Sequence, residues 1–130
     1  MESVHHPSHY LGVDVGKAEL VACLFSPDAL KPKTKSFPND ATGVKRLLEW
    51  LGEAKGTCRA VLEATSRYHR LCERALWDAG AKVELANPRR ARALATGLGL
   101  SDKTGKVDAR GLGQAARLLE VKEHRLPSPA

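Results

Sequence analysis

The sequence predicts an α/β fold, a mixed sheet with helices on both of its faces. Three strand-like segments come first and are joined by short turns, as in an antiparallel meander. Strand segments then alternate with helical ones, which is the order expected of parallel strands with helical connections. At 130 residues the chain is long enough for one domain with a core of its own and too short for two.

Five segments have the apolar content and the turn boundaries of strands. They are 10–15, 19–25, 34–37, 58–63 and 82–86. A turn at Gly16 joins the first two strands. In the first of them, alternation places Asp14 on the face opposite Val13 and Val15. The continuous apolar run at 60–62 is typical of a strand that is covered on both faces.

Helical periodicity predicts the remaining elements. The first helix has Asn39 or Asp40 as its N-cap, and its apolar residues recur at positions 44, 47, 48 and 51. A second helix covers 67–79 and ends at Gly80. Asn87 and Pro88 fit the start of a further helix, because they suit its N-cap and its first turn.

The last helix is predicted over about 104–120. Asp108, Leu112, Ala115 and Leu119 share one of its faces, so the apolar stripe would dock on the sheet and bring Asp108 toward it. These elements make one folded domain at 10–122. A polar, histidine-rich leader at 1–9 precedes this domain, and we expect it to be disordered. A proline-rich segment at 123–130 follows the domain, and we expect it to be a tail or a linker.

Composition narrows the class of protein. The net charge of +6 and the pI near 9.5 suit an anionic partner such as nucleic acid. Aromatic residues make up only 5%, which argues against a base-stacking platform. Cys23, Cys58 and Cys72 are odd in number and widely spaced, as reduced core cysteines are. Because no segment resembles a signal peptide or a membrane span, we expect a cytoplasmic protein without a membrane partner.

Three acidic residues lie where this fold could gather them. Asp14 is in the first strand, Glu63 ends the fourth, and Asp108 is on the last helix. Gathered carboxylates bind divalent ions that activate water for phosphodiester cleavage, and oxygen ligands favour Mg²⁺ or Mn²⁺. Simpler roles stay open for each residue. Hydrogen-bonding neighbours can compensate Asp14, Glu63 can serve a helix N-terminus, and Asp108 can be solvated.

Five motifs along the chain resemble those of a known family. They are Leu11-Gly-Val-Asp-Val-Gly-Lys17, Phe37-Pro-Asn39, Val61-Leu-Glu-Ala-Thr65, Val83-Glu-Leu-Ala-Asn-Pro88 and Lys103-Thr-Gly-Lys-Val-Asp-Ala109. In this order they resemble the N-terminal domain of the DEDD transposases of bacterial insertion sequences, the group that includes the Piv/MooV DNA invertases. The resemblance covers residues 10–120 and implies a RuvC-like, RNase H-like fold with a Mg²⁺-binding tetrad of acids.

The resemblance assigns three of those four acids. Asp14 matches the first, Glu63 the second and Asp108 the fourth, so these are the expected catalytic and metal-binding residues. Gly105 stands where the family has its third acid, and Asp102 is the nearest substitute. The family's C-terminal domain, which carries a serine nucleophile, is not found in these residues. We therefore expect a truncated chain or a remnant with impaired activity, and whether it is an active enzyme stays open.

Basic residues near the last two motifs predict a nucleic-acid surface. They are Arg89, Arg90, Arg92, Lys103, Lys106 and Arg110, with Arg117 continuing the stripe on the last helix. Such a stripe would follow a phosphate backbone without reading bases, so its binding should weaken steeply with salt. An ordinary solvated surface would have the same composition. The resemblance implies DNA as a partner, and also a structured guide RNA; a homo-oligomer is compatible with it.

Three alternative functions remain open from the sequence. One is a module that binds nucleic acid or dimerises without catalysis. A second is a Holliday-junction-resolvase-like nuclease, which shares the fold and the metals but lacks the motifs at Asn87-Pro88 and Lys103-Thr104. The third arises because the run 12–16 also resembles the first phosphate loop of actin-like sugar kinases. Those kinases need a second phosphate loop and a second lobe, which this sequence lacks.

Overall fold

The computed structural model describes residues 8–63, 67–86, 93, 96, 97 and 108–118. The strands are β1 (His9–Val15), β2 (Glu19–Phe25), β3 (Lys33–Pro38), β4 (Cys58–Glu63) and β5 (Lys82–Ala86). The helices are α1 (Ala41–Leu51), α2 (Arg70–Asp78) and α3 (Ala109–Leu118), with short 3₁₀ helices at Gly52–Gly56 and Arg67–His69.

One mixed sheet has β1 as its central strand. The strand order is β3-β2-β1-β4-β5. β1 pairs antiparallel with β2 and parallel with β4, while β3 and β5 pair antiparallel and parallel at the two edges. The predicted fold class is therefore confirmed: an antiparallel meander comes first, and strands that alternate with helices extend the sheet on the other side of β1.

Helices α1 and α2 cover one face of the sheet with large apolar side chains. Leu11 and Val13 of β1 belong to one fully buried cluster with Leu47 of α1 and Leu76 of α2. α1 begins after Asp40, whose carboxylate accepts a hydrogen bond from the Gly43 amide at 2.7 Å. Of the two N-caps that the sequence allowed, Asp40 is the one used, and its bond satisfies an amide that has no partner within the helix.

Helix α3 covers the opposite face, and its backbone lies unusually near the sheet. A Cβ atom at Gly12 would overlap the backbone of Ala109 and Gly113, and one at Gly113 would overlap the Phe25 ring. The two glycines therefore let β1 and α3 pack backbone against backbone. Leu112 and Ala116 are the fully buried side chains that α3 adds to this layer.

One predicted helix boundary is refined and another is wrong. The segment expected to be helical over 67–79 begins with the 3₁₀ helix Arg67–His69, and α2 proper starts at Arg70. The last helix begins at Ala109 and not near 104, because Asp108 is not helical and acts as its N-cap. Helical periodicity fails to separate a cap from a first-turn residue, since both have similar spacing to the apolar stripe. The helix start expected at Asn87 and Pro88 lies outside the described residues.

The three cysteines are free and buried, as predicted. Burial raises the pKa of the Cys58 and Cys72 thiols to about 12, so both are neutral apolar groups at physiological pH. Among the described residues, no helix combines the length and the apolar character needed to cross a membrane.

Candidate functional site

The first two predicted acids, Asp14 and Glu63, lie side by side where the parallel strands β1 and β4 end. We call this end of the sheet the acidic edge. Asp14 and Glu63 each follow directly after the paired residues Val13 and Leu62, where β1 and β4 run parallel. Neighbouring strands in a sheet are about 4.8 Å apart, so the two residues occupy adjacent positions on adjacent strands. Sequence reasoning placed both acids at this edge, and the register of the two strands agrees with it.

Both acids also point to the α3 face of the sheet. Alternate residues of a strand face opposite ways, and Leu11 and Val13 belong to the core beneath α1 and α2. Asp14 therefore faces α3, and Glu63 does too, because Val61 packs against α3. Glu63 is only 6% exposed, whereas Asp14 is half-buried. A carboxylate as buried as Glu63 is stable in charged form only where hydrogen bonds or a positive charge compensate it.

Asn39 connects the turn after β1 to the 3₁₀ helix Arg67–His69, which follows β4 in the chain. Its side-chain nitrogen donates hydrogen bonds to the carbonyl oxygen of Gly16 at 2.8 Å and to that of Tyr68 at 2.9 Å. Gly16 lies two residues beyond Asp14, and Tyr68 lies five residues beyond Glu63. A single amide therefore holds together the two chain segments that leave the acidic edge of the sheet.

The third predicted acid, Asp108, is exposed and caps α3. Its Oδ1 accepts a hydrogen bond from the Gly111 amide at 2.8 Å, and its carbonyl accepts one from Leu112 at 3.0 Å. It does lie on the same side of the sheet as Asp14, next to β2. Burial raises the pKa of the Cys23 thiol, the nearby Asp108 charge adds to that rise, and the Thr34 hydrogen bond and the Arg110 charge oppose it.

The structure brings two of the predicted acids together and gives the third a different local role. Within the described ranges, no three His, Cys, Asp or Glu side chains are grouped so that they could hold one metal ion. The sequence placed Asp108 on the inward face of the helix, and this is corrected, because Asp108 precedes the helix. That Asp108 joins Asp14 and Glu63 at a metal stays a prediction. Gly105 and Asp102 lie outside the described residues, and with Asp108 outside α3 the helical-face argument that linked Gly105 to it no longer holds.

Of the predicted basic surface, only Arg110 and Arg117 fall in the described part of the chain. The other residues, Arg89, Arg90, Arg92, Lys103 and Lys106, lie outside it. Arg110, Gln114 and Arg117 line one side of a groove of about 560 Å³, and the loop after β2 lines the other. Both arginines are exposed, and none of the described residues that line the groove is acidic. The described lining of the groove is therefore positively charged, and we call this feature the cationic groove.

Sequence reasoning missed two contributions to this region. The sequence offers Asn39 as a candidate helix cap and as part of a family motif, but it does not predict the bond to Tyr68, since a bond across 29 residues leaves no local pattern. Gly12 was treated as part of an apolar strand. Its signal was nonetheless present, because an isolated glycine inside a strand often marks the close approach of another backbone.

Comparison with known proteins gives one family. A model of the transposase family of the DEDD, IS110 type matches residues 11–130. Comparison with curated protein sequences finds no match. Among solved structures, the chain is similar to the ethanolamine utilization protein EutJ from Carboxydothermus hydrogenoformans, with 17% identity and a TM-score of 0.40. That alignment covers 73% of this chain and 42% of EutJ, so the chain spans less than half of that protein. On the match of the family model over nearly its whole length, the chain belongs to the IS110-type DEDD transposases.

Proposed function

We propose that this domain binds DNA and a divalent cation for the DNA strand cleavage and transfer of transposition. The observation that supports it best is the pair Asp14 and Glu63, at adjacent positions of parallel strands on the face beneath α3. Membership of the transposase family makes DNA the expected partner. The proposal includes Asp108 as a further acid of the same site and a structured guide RNA as a second nucleic-acid partner.

The donor set at the acidic edge fits Mg²⁺ or Mn²⁺. Hard cations prefer oxygen ligands, and Mg²⁺ commonly keeps several waters while one or two carboxylates and a substrate phosphate hold it. Asp14 and Glu63 would supply those carboxylates, and Glu63, being 6% exposed, would be held in a fixed orientation by its surroundings. A bound ion would polarise a phosphodiester and lower the pKa of an attacking group.

The cationic groove suggests how a nucleic-acid strand would cross the domain. Tyr10 lines the groove and lies four residues before Asp14 on β1, a separation of about 13 Å along an extended strand. Arg110 and Arg117 are seven residues apart on α3, or about 10 Å along the helix axis. We infer that these two arginines contact backbone phosphates on the side of α3 away from the acids. The arginines at positions 89, 90 and 92 and the lysines at 103 and 106 would extend the same surface.

Reduced activity is part of the proposal. Two carboxylates at adjacent positions suffice for weak binding of a divalent ion, but the number of ligands largely sets affinity. Because Gly105 replaces one acid of the family's motif, we expect little strand cleavage from the isolated chain. Binding is therefore a better test of this proposal than cleavage.

The test measures how a divalent ion changes DNA binding. With total ionic strength held constant, Mg²⁺ should tighten the binding of wild-type protein to a short labelled DNA, because the ion would bridge carboxylates and phosphate. Asp14→Asn and Glu63→Gln should abolish that gain while leaving binding in metal-free buffer unchanged or slightly tighter. If Mg²⁺ affects wild type and both variants equally, the acid pair has no role in metal binding.

A second candidate is a module that binds nucleic acid without catalysis. The observation that favours it is the groove along α3, which the exposed residues Arg110 and Arg117 line. Under this alternative, replacing Arg110 and Arg117 with alanine would weaken DNA binding, and Mg²⁺ would have no specific effect. Removing one arginine–phosphate interaction should flatten the slope of log K against log salt by about 0.7–0.9. The matched control replaces Arg46 and Arg74, two exposed arginines on α1 and α2 across the sheet. It removes the same charge and should leave the slope unchanged.

A further inference from the structure

We propose that Asn39 is a positioning residue for the acid pair and sets the affinity of the domain for its divalent cation. This inference rests on the proposed metal site at Asp14 and Glu63. The hydrogen bonds of Asn39 go to backbone oxygens, so it acts on the carboxylates only through the turn after β1 and the 3₁₀ helix Arg67–His69. Asn39 belongs to the motif Phe37-Pro-Asn39, in which Phe37 is a buried core residue. The start of α1 does not explain the side chain of Asn39, because Asp40 makes the cap bond.

The hydrogen bonds of Asn39 use its amide group fully as a donor. The side-chain nitrogen donates to the Gly16 oxygen at 2.8 Å and to the Tyr68 oxygen at 2.9 Å, and the backbone nitrogen donates to the Ala18 oxygen at 2.9 Å. Three contacts from one residue thus hold the turn after β1 and the segment after β4. Both side-chain protons are used, which matches the two donors that a primary amide offers.

No other side chain of this size could make the same pair of bonds. Aspartate has the same shape, but an ionised carboxylate has no proton to donate and would face two carbonyl oxygens. Alanine and serine are too short to reach both the turn after β1 and the 3₁₀ helix Arg67–His69. A purely local helix cap would not require an amide, since Asp40, the next residue, makes the cap bond of α1.

The hydrogen bonds of Asn39 matter because a metal site tolerates little movement of its ligands. Asp14 and Glu63 lie on separate strands, and each is followed within a few residues by a segment that Asn39 holds. Ligating groups generally need to be held within about 0.5 Å of their productive positions. Losing residues that orient metal ligands commonly lowers metal affinity by about 10–100-fold. Asn39→Ala should do so without altering any ligand.

The experiment compares Asn39→Ala with Asp40→Ala by calorimetric titration with Mn²⁺. Asp40 is the adjacent residue, and its replacement removes a side-chain hydrogen bond that stabilises α1. The side-chain bonds of Asn39 to the turn after β1 and to the 3₁₀ helix after β4 are kept. Mn²⁺ affinity should fall about tenfold or more in Asn39→Ala and in Asn39→Asp. It should stay at the wild-type value in Asp40→Ala.

A second readout needs no metal. Backbone hydrogen exchange in metal-free buffer should quicken in Asn39→Ala at the turn after β1, where the Gly16 amide is bonded to the Glu19 oxygen at 2.8 Å. In Asp40→Ala it should quicken instead at the first turn of α1. Equal Mn²⁺ affinity in wild type and Asn39→Ala, or an equal loss in both variants, would refute the positioning role. If wild type binds no Mn²⁺ at all, the proposed metal site fails and the inference fails with it.

Discussion

The two faces of the sheet are built from different kinds of residue. Beneath α1 and α2 the core consists of large, fully buried aliphatic side chains, such as Leu11, Leu47 and Leu76. Beneath α3 the sheet presents Gly12 and Cys23, and at its edge the two carboxylates Asp14 and Glu63. The first face removes a large apolar area from water, whereas on the second a helix backbone lies directly against the central strand.

This difference suggests a division of roles between the faces. Large side chains stabilise a fold through apolar burial and dense packing, but they hold the covering helices a full layer away from the sheet. Glycines stabilise less, yet they bring the start of α3 directly over the central strand, near the acids. We infer that the α1/α2 face mainly supplies stability and that the α3 face mainly supplies function. Substitutions on the two faces can test this separation.

The largest loss of stability is expected from Leu47→Ala on the α1/α2 face. Leu47 is fully buried, and truncating a buried leucine costs about 2–5 kcal/mol because a cavity remains. Denaturant unfolding measures the loss. The Mn²⁺ affinity of the folded protein should not change, since Leu47 lies across the sheet from the acids. A fall in affinity would show that the faces are not separate.

Gly12→Ala should cost somewhat less, about 1–3 kcal/mol, and should act on the other face. The added Cβ overlaps the backbone of Ala109 and Gly113, so α3 must move away from β1. Cys23, which packs against Ala109, should then react faster with a thiol reagent, while Cys58 and Cys72 stay protected. Gly56→Ala is the control, because open space surrounds its added Cβ. Equal protection of Cys23 in both variants would contradict the close packing of α3.

Sequence reasoning succeeded where the pattern is local and repeated. Strand alternation gave all five strands and the direction in which Asp14 points, and helical spacing gave the inward stripe at Val44 and Leu47. It failed at Asp108, because an N-cap residue and a first-turn residue have similar spacing to the apolar stripe. Spacing alone therefore does not tell the two positions apart. It also missed the bond from Asn39 to Tyr68, which joins two segments that are distant in sequence and meet only in the folded chain. Local pattern therefore predicted the layers, whereas the contacts between distant segments required the structure.

A smaller effect is expected at Asp108, and two substitutions separate its roles. Asp108→Ala removes the N-cap of α3 and should destabilise the protein by about 1 kcal/mol. Asp108→Asn keeps a side-chain oxygen that can accept the Gly111 bond, so stability should stay near the wild-type value. If Asp108 is also a metal ligand, as we propose, Asp108→Asn should still weaken Mn²⁺ binding. Unchanged Mn²⁺ affinity in Asp108→Asn would leave Asp108 as a cap alone.

The most direct test of the metal site is Mn²⁺ titration of the wild-type protein beside the double variant Asp14→Asn, Glu63→Gln. Both substitutions keep side-chain size and hydrogen-bonding oxygens, so the fold should persist, and unfolding curves would verify this. We predict saturable Mn²⁺ binding by wild type and its loss in the double variant, with Mg²⁺ competing for the same site. Equal binding by both proteins, or none by wild type, would contradict the claim that the α3 face carries the metal site.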